Sequence, residues 1–135
     1  MPTARSGSGA VHIPGVGELV VGGWGNSGGR LRTAELLRGV EVGDGEARVW
    51  REVVAMNKPV WKPSVVYLNG SVIVVSQTCA EMLSLPGGYP GQWTLLSGCI
   101  PPNNRPYSMC VFNGRVILAG EPKGLNVEYV FVCAF

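Results

Sequence analysis

A chain of 135 residues fits one domain and is long enough to bury a core. It is 46% apolar and only 15% charged, against a usual level of about 25% charged, and its net charge of +2 supplies no basic stripe for nucleic acid. Twenty Gly and ten Pro punctuate it too often for long helices, and no apolar run reaches the roughly 18 residues that a membrane helix needs.

Residues 1–8 are small and polar, lack the apolar stretch of a secretory signal, and read as a flexible N-terminus. Residues 9–13 are a predicted strand, Pro14-Gly15-Val16-Gly17 a turn, and residues 18–21 a second strand closed by Gly22-Gly23. The stretch from Gly22 to Arg30 is glycine-rich but lacks the Gly-Lys-Ser/Thr ending of a phosphate-binding loop, and no helix follows it. It reads as a long mobile loop. Residues 33–42 have some helical propensity, but Gly39 and the Val40-Glu41-Val42 alternation predict a strand ending at the turn 43–46. Residues 47–53 alternate polar and apolar as a half-exposed strand should, and residues 56–59 are the exit loop.

Two further stretches then repeat the first hairpin in tighter form. Residues 65–75 and 109–119 are each an apolar run, an Asn-Gly pair and a second apolar run, with Asn69 and Asn113 44 residues apart. Asn-Gly tolerates positive φ at both central positions of a type I′ turn, whose twist matches two antiparallel strands. The second unit continues with strands over 79–85 and 92–96 around a Gly/Pro-rich turn at 86–91, and the third with a strand over 126–132. Leu19, Val72 and Val116 mark the three hairpins at intervals of 53 and 44 residues, which predicts a repeat architecture. The organisation is thus 1–8, a first repeat 9–59, a second 60–106 and a partial third 107–135. The predicted fold is all-β, about three four-stranded antiparallel sheets of propeller type with the last incomplete.

The order of hairpin, double glycine, small-residue-plus-Glu strand, turn and Trp strand resembles the Kelch repeat. Unit one carries it through Arg5, Gly9-Ala10-Val11, Leu19 to Gly23, Ala34-Glu35-Leu36-Leu37, Trp50 and Met56. Unit two carries it through residues 65–75, Ala80-Glu81-Met82-Leu83 and Trp93, with Ser76-Gln77 in place of the glycines. Unit three carries it through Arg105-Pro106-Tyr107-Ser108, the hairpin and Val127-Glu128-Tyr129, with Gly120-Glu121 there. The resemblance implies a β-propeller segment in which Gly22, Gly23, Glu35, Trp50, Asn69, Gly70, Glu81, Trp93, Asn113, Gly114 and Glu128 are structural. Kelch propellers close with about six blades, so fewer than three imply part of a larger ring, or a truncated, non-functional product. The outermost residues Val11, Ile13, Phe131 and Phe135 are then expected to face missing neighbours, and the isolated chain to self-associate.

Catalytic constellations are sparse. His12 is the single histidine and sits in a predicted strand, so it reads as an edge or turn residue. One histidine cannot supply a copper-oxidase ligand set on this fold. Cys79, Cys99, Cys110 and Cys133 match no close-paired zinc spacing and read as small core residues of a reduced, cytoplasmic protein. The expectation is no enzyme, no cofactor, no metal, no nucleic acid and no membrane. What remains is the loop surface, where Trp24, Arg30, Trp61, Lys62, Arg105 and Tyr107 are of types enriched in binding hot spots. The resemblance implies a protein partner held there, a ubiquitin-ligase substrate or actin, although no stretch resembles the BTB domain of such adaptors.

Overall fold

The computed structural model describes residues 1–97, 104–122 and 129–133, with side chains through 97 and from 108 to 119. Its strands are β1 (Arg5–Ser6), β2 (Gly9–Ile13), β3 (Gly17–Val21), β4 (Trp24–Gly25), β5 (Ala34–Val42), β6 (Gly45–Val53), β7 (Ser64–Leu68), β8 (Ser71–Val75), β9 (Ala80–Ser84), β10 (Trp93–Leu95), β11 (Asn104–Phe112), β12 (Arg115–Pro122) and β13 (Tyr129–Cys133). Among the described residues a single 3-10 turn, at Pro86–Gly88, interrupts them. Among the described residues no helix is long and apolar enough to cross a membrane. The protein is all-β.

The strands form three antiparallel sheets in which sequence neighbours pair. Sheet 1 runs β2-β3-β5-β6, sheet 2 β7-β8-β9-β10 and sheet 3 β11-β12-β13, while β1 and β4 make a separate two-stranded pair. The Asn-Gly turns account for two of the hairpins. Asn69 and Gly70 have φ of 49° and 78°, and Asn113 and Gly114 have 54° and 71°, the positive pair that a type I′ turn requires.

Pairing in register and alternation fix which residues share a face. On sheet 1, Ile13, Leu19, Val21 and Leu36 point to sheet 2 and meet Val72, Val74, Leu83 and Trp93. On the other face of sheet 2, Val66, Leu68, Ile73 and Val75 meet Val116 and Leu118 of sheet 3. Hence β8 is buried on both faces, which is why Val72 to Val75 are apolar without alternation. The first strand of the middle sheet, β7, lies against β2 on one side and β11 on the other.

Four expectations are corrected. Residues 1–8 do not dangle, because Arg5 and Ser6 pair with Gly25 and Trp24 and the Arg5 side chain is fully buried. The stretch from Gly22 to Arg30 is not a free loop, because it carries β4 and is stitched to the next inter-sheet connection. Val11 and Ile13 do not face an open side. Ile13 is buried and Val11 packs against the core with sheet 2, and the open face of sheet 1 instead carries Ala10, His12, Val20, Leu37 and Trp50. The period-two alternation shows that residues segregate but not which face the neighbouring sheet takes. Cys79 is buried, whereas Cys110 is exposed on β11, away from a core role.

Candidate functional site

In each sheet successive connections alternate between its two ends. The β2–β3 and β5–β6 turns lie at one end of sheet 1, and the β3–β5 loop and β6–β7 connection lie at the other. This second end gathers four of the six residues that sequence singles out for partner binding.

The two connections are joined by backbone hydrogen bonds. Gly23 N–H donates to the Val60 carbonyl (2.8 Å), Leu31 N–H to that of Gly23 (2.8 Å), Val60 N–H to that of Leu31 (3.0 Å) and Met56 N–H to that of Arg32 (2.8 Å). The double glycine makes the approach possible. Gly22 and Gly23 have φ of 63° and 101°, and a Cβ on Gly22 would collide with the Val60 side chain and lie 2.7 Å from its carbonyl oxygen. In sheet 2 the same place holds Ser76, whose hydroxyl accepts from the N–H groups of Thr78 and Cys79, so a side-chain turn replaces the glycines.

On this base Trp24 and Trp61 meet with ring centroids 6.5 Å apart and planes at 70°, an edge-to-face arrangement. They remain 43% and 41% exposed, although both are large apolar side chains. The Lys62 ammonium lies 4.6 Å from the Trp61 ring centroid, a cation–π contact. Lys62 is itself fixed, with φ of 48° and its N–H donating to the Gly7 carbonyl at 2.8 Å. Arg30 is exposed and bridges Trp24 through the backbone. Arg105, in β11, pairs with Glu121 of β12, and the register slips between Pro106 and Ser108, so Tyr107 occupies a bulge. The side chains of Arg105 and Tyr107 lie outside the described residues, as do Glu128, Cys99 and Phe135 and the side chains of Phe131 and Cys133.

Of the recurrent glutamates, Glu35 and Glu81 sit beneath this end and are fully engaged. Glu35 accepts from the Arg5 guanidinium at 3.0 Å and from the Thr3 N–H at 3.0 Å, and both members of the Arg5–Glu35 pair are buried. Arg5 also donates to the carbonyls of Gly22 and Thr33. Glu81 accepts from the N–H groups of Asn57 (2.9 Å) and Lys58 (3.0 Å) and from Asn57 Nδ2 (2.7 Å). Each glutamate thus ties its own sheet to the segment leading into it. A carboxylate so occupied is not free for acid–base chemistry, as its lone pairs already accept donors. His12 sits at an exposed edge and pairs with its cross-strand partner Glu18 at 3.0 Å.

Trp50 and Trp93 share one register position, opposite Leu37 and Leu83, but differ in surroundings. Trp93 is buried and donates to the Val54 carbonyl at 2.8 Å, whereas Trp50 is half-buried and its indole has no hydrogen-bond partner among the described residues. Sequence reasoning missed Arg5 as the anchor of the N-terminal segment. Its signal would have been a lone Arg ahead of the first strand and an in-register Glu on the third. No family model matches the chain, and no curated protein matches it.

Proposed function

We propose that the chain is a protein-interaction module, a Kelch-type propeller segment that holds a partner protein at the sheet end carrying Trp24, Arg30, Trp61 and Lys62. The observation that carries this reading is the convergence of two exposed tryptophans and two cations, from connections 22–33 and 54–63, on one braced surface. Large aromatics held rigidly at a surface give contact area at low entropic cost, which is how binding hot spots work. The propeller reading is supported by four-stranded meander sheets packed face to face with their first strands side by side. It is also supported by the Glu latch recurring at Glu35 and Glu81.

Selection of a randomised peptide library on the immobilised full chain tests the reading. Peptides are expected to be recovered whose affinity falls at least about tenfold in a Trp24→Ala, Trp61→Ala double variant with an unchanged circular dichroism spectrum. Recovery of no peptide, or of peptides that bind the double variant equally well, overturns it.

A further inference from the structure

Charge is segregated between the two ends of sheet 1. Connections 22–33 and 54–63 contain Arg30, Arg32, Lys58 and Lys62 and no Asp or Glu. All four are exposed. The opposite end, from the β2–β3 turn to the β5–β6 tip, carries Glu18, Glu41, Asp44 and Glu46 among Arg38, Arg48 and His12. Of the carboxylates closest to the tryptophan end, Glu35 and Glu81 are buried and already neutralised by Arg5 or saturated by amide donors, which leaves the exposed Glu52, opposite Glu35 on β6 and next to the exposed Arg51 in sequence. The surface around Trp24 and Trp61 therefore carries an excess of positive charge, four exposed cations in the two connections against Glu52 at their border.

We infer that this end binds an acidic segment of a partner protein, one apolar side chain seating against Trp24 and Trp61 while flanking Asp or Glu side chains pair with Lys62 and Arg30. The inference rests on the protein-binding reading above and names the chemistry of the partner. Attraction to a net cationic rim raises the association rate and selects against basic partners. An apolar anchor covers the two indoles, both of them exposed large apolar side chains. A nucleic-acid strand is disfavoured by the same geometry. Base stacking needs an open ring face, and the indoles stand 70° apart with the Lys62 ammonium over Trp61.

The peptides recovered from the random library decide the point. Their consensus is expected to hold Asp or Glu within a few positions of an apolar residue. Binding is expected to weaken at least about tenfold in an Arg30→Glu, Lys62→Glu variant and to fall as salt is raised. Arg38→Glu, at the opposite end, is expected to leave affinity unchanged. Near-ultraviolet circular dichroism of each variant separates loss of binding from loss of fold. Peptides that depend on Trp24 and Trp61 but show no acidic preference, or that bind the charge-reversed variant equally well, overturn this inference and leave the protein-binding reading standing. Displacement of bound peptide by a 12-nucleotide oligothymidylate, with tighter affinity than any peptide, overturns it in favour of single-stranded nucleic acid.

Discussion

The indole nitrogen of Trp93 donates to the carbonyl oxygen of Val54 at 2.8 Å, linking the last strand of sheet 2 to the end of sheet 1. The bond crosses 39 residues of sequence and closes over the apolar layer between the two sheets. Replacing Trp93 with Phe keeps much of the ring but leaves a half-buried carbonyl without this donor, at a cost of about 1 kcal/mol. Replacing it with Ala also opens a cavity and costs about 3–5 kcal/mol. Trp50→Ala, at the same register position without such a partner, is expected to cost less than Trp93→Ala. Urea unfolding of the three variants checks the order, and a Trp50 variant as unstable as Trp93→Ala would contradict it.

The two glutamate latches are expected to differ in strength. Removing the Glu35 charge strands the Arg5 guanidinium in a buried site, a change that costs about 3–5 kcal/mol. Glu81 faces neutral amide donors, and Glu81→Gln retains one acceptor oxygen for them, so its cost is about 1–2 kcal/mol. Pairing Glu35→Gln with Arg5→Met should recover part of the loss, because the uncompensated charge disappears. Equilibrium unfolding of the two single variants and the double variant checks both points.

Gly22→Ala and Gly70→Ala make a matched test of close approach. Both positions have positive φ, 63° and 78°. A Cβ on Gly70 meets nothing within 4 Å, so its cost is the backbone strain alone, about 1 kcal/mol. At Gly22 the same strain is joined by collision with Val60, and a loss of more than about 2 kcal/mol is expected. Thermal melts that rank Gly70→Ala below Gly22→Ala would refute this account of the double glycine.

Self-association is expected through the outer faces of the stack. Leu68 of sheet 2 is buried, but Phe112, at the equivalent position in sheet 3, is 66% exposed. Val20, Leu37 and Trp50 on sheet 1 are half-buried. Light scattering should show apparent mass rising with concentration, and Phe112→Asp should reduce the rise without lowering the melting temperature. A compact monomer with a sharp cooperative melt at all concentrations would count against it.

Much of the strand order was legible in the chain because it is local. Asn69-Gly70 and Asn113-Gly114 specify their turns, and β5 and β6 follow from alternation around residues 43–46. The unalternating run at Val72 to Val75 carries the signal of a strand covered on both faces, which its reading as one arm of a hairpin left unused. What was not legible is non-local. The partners of Arg5 lie 17 to 30 residues away, and the lone Arg gains meaning only when paired with a Glu on the third strand. The candidate site was legible as residue types, but its assembly depends on Trp24 and Trp61 meeting across two connections and on Gly7 supporting Lys62.

The glutamate latches also give the nascent chain a direction. Asn57 and Lys58 leave the ribosome about 24 residues before the glutamate that fastens them, and Arg5 precedes Glu35 by 30. At about 5–20 residues per second, each junction therefore stays open for on the order of seconds before the strand behind it arrives. The N-terminal segment is fastened once β5 brings Glu35 into place, sheet 1 is complete only when β6 follows, and its union with sheet 2 waits for Glu81 and then Trp93. Synthesis thus seals the stack from the N-terminal side, one joint at a time, and a pause after Lys58 would leave the freshly made apolar face of sheet 1 waiting uncovered for chaperones to find.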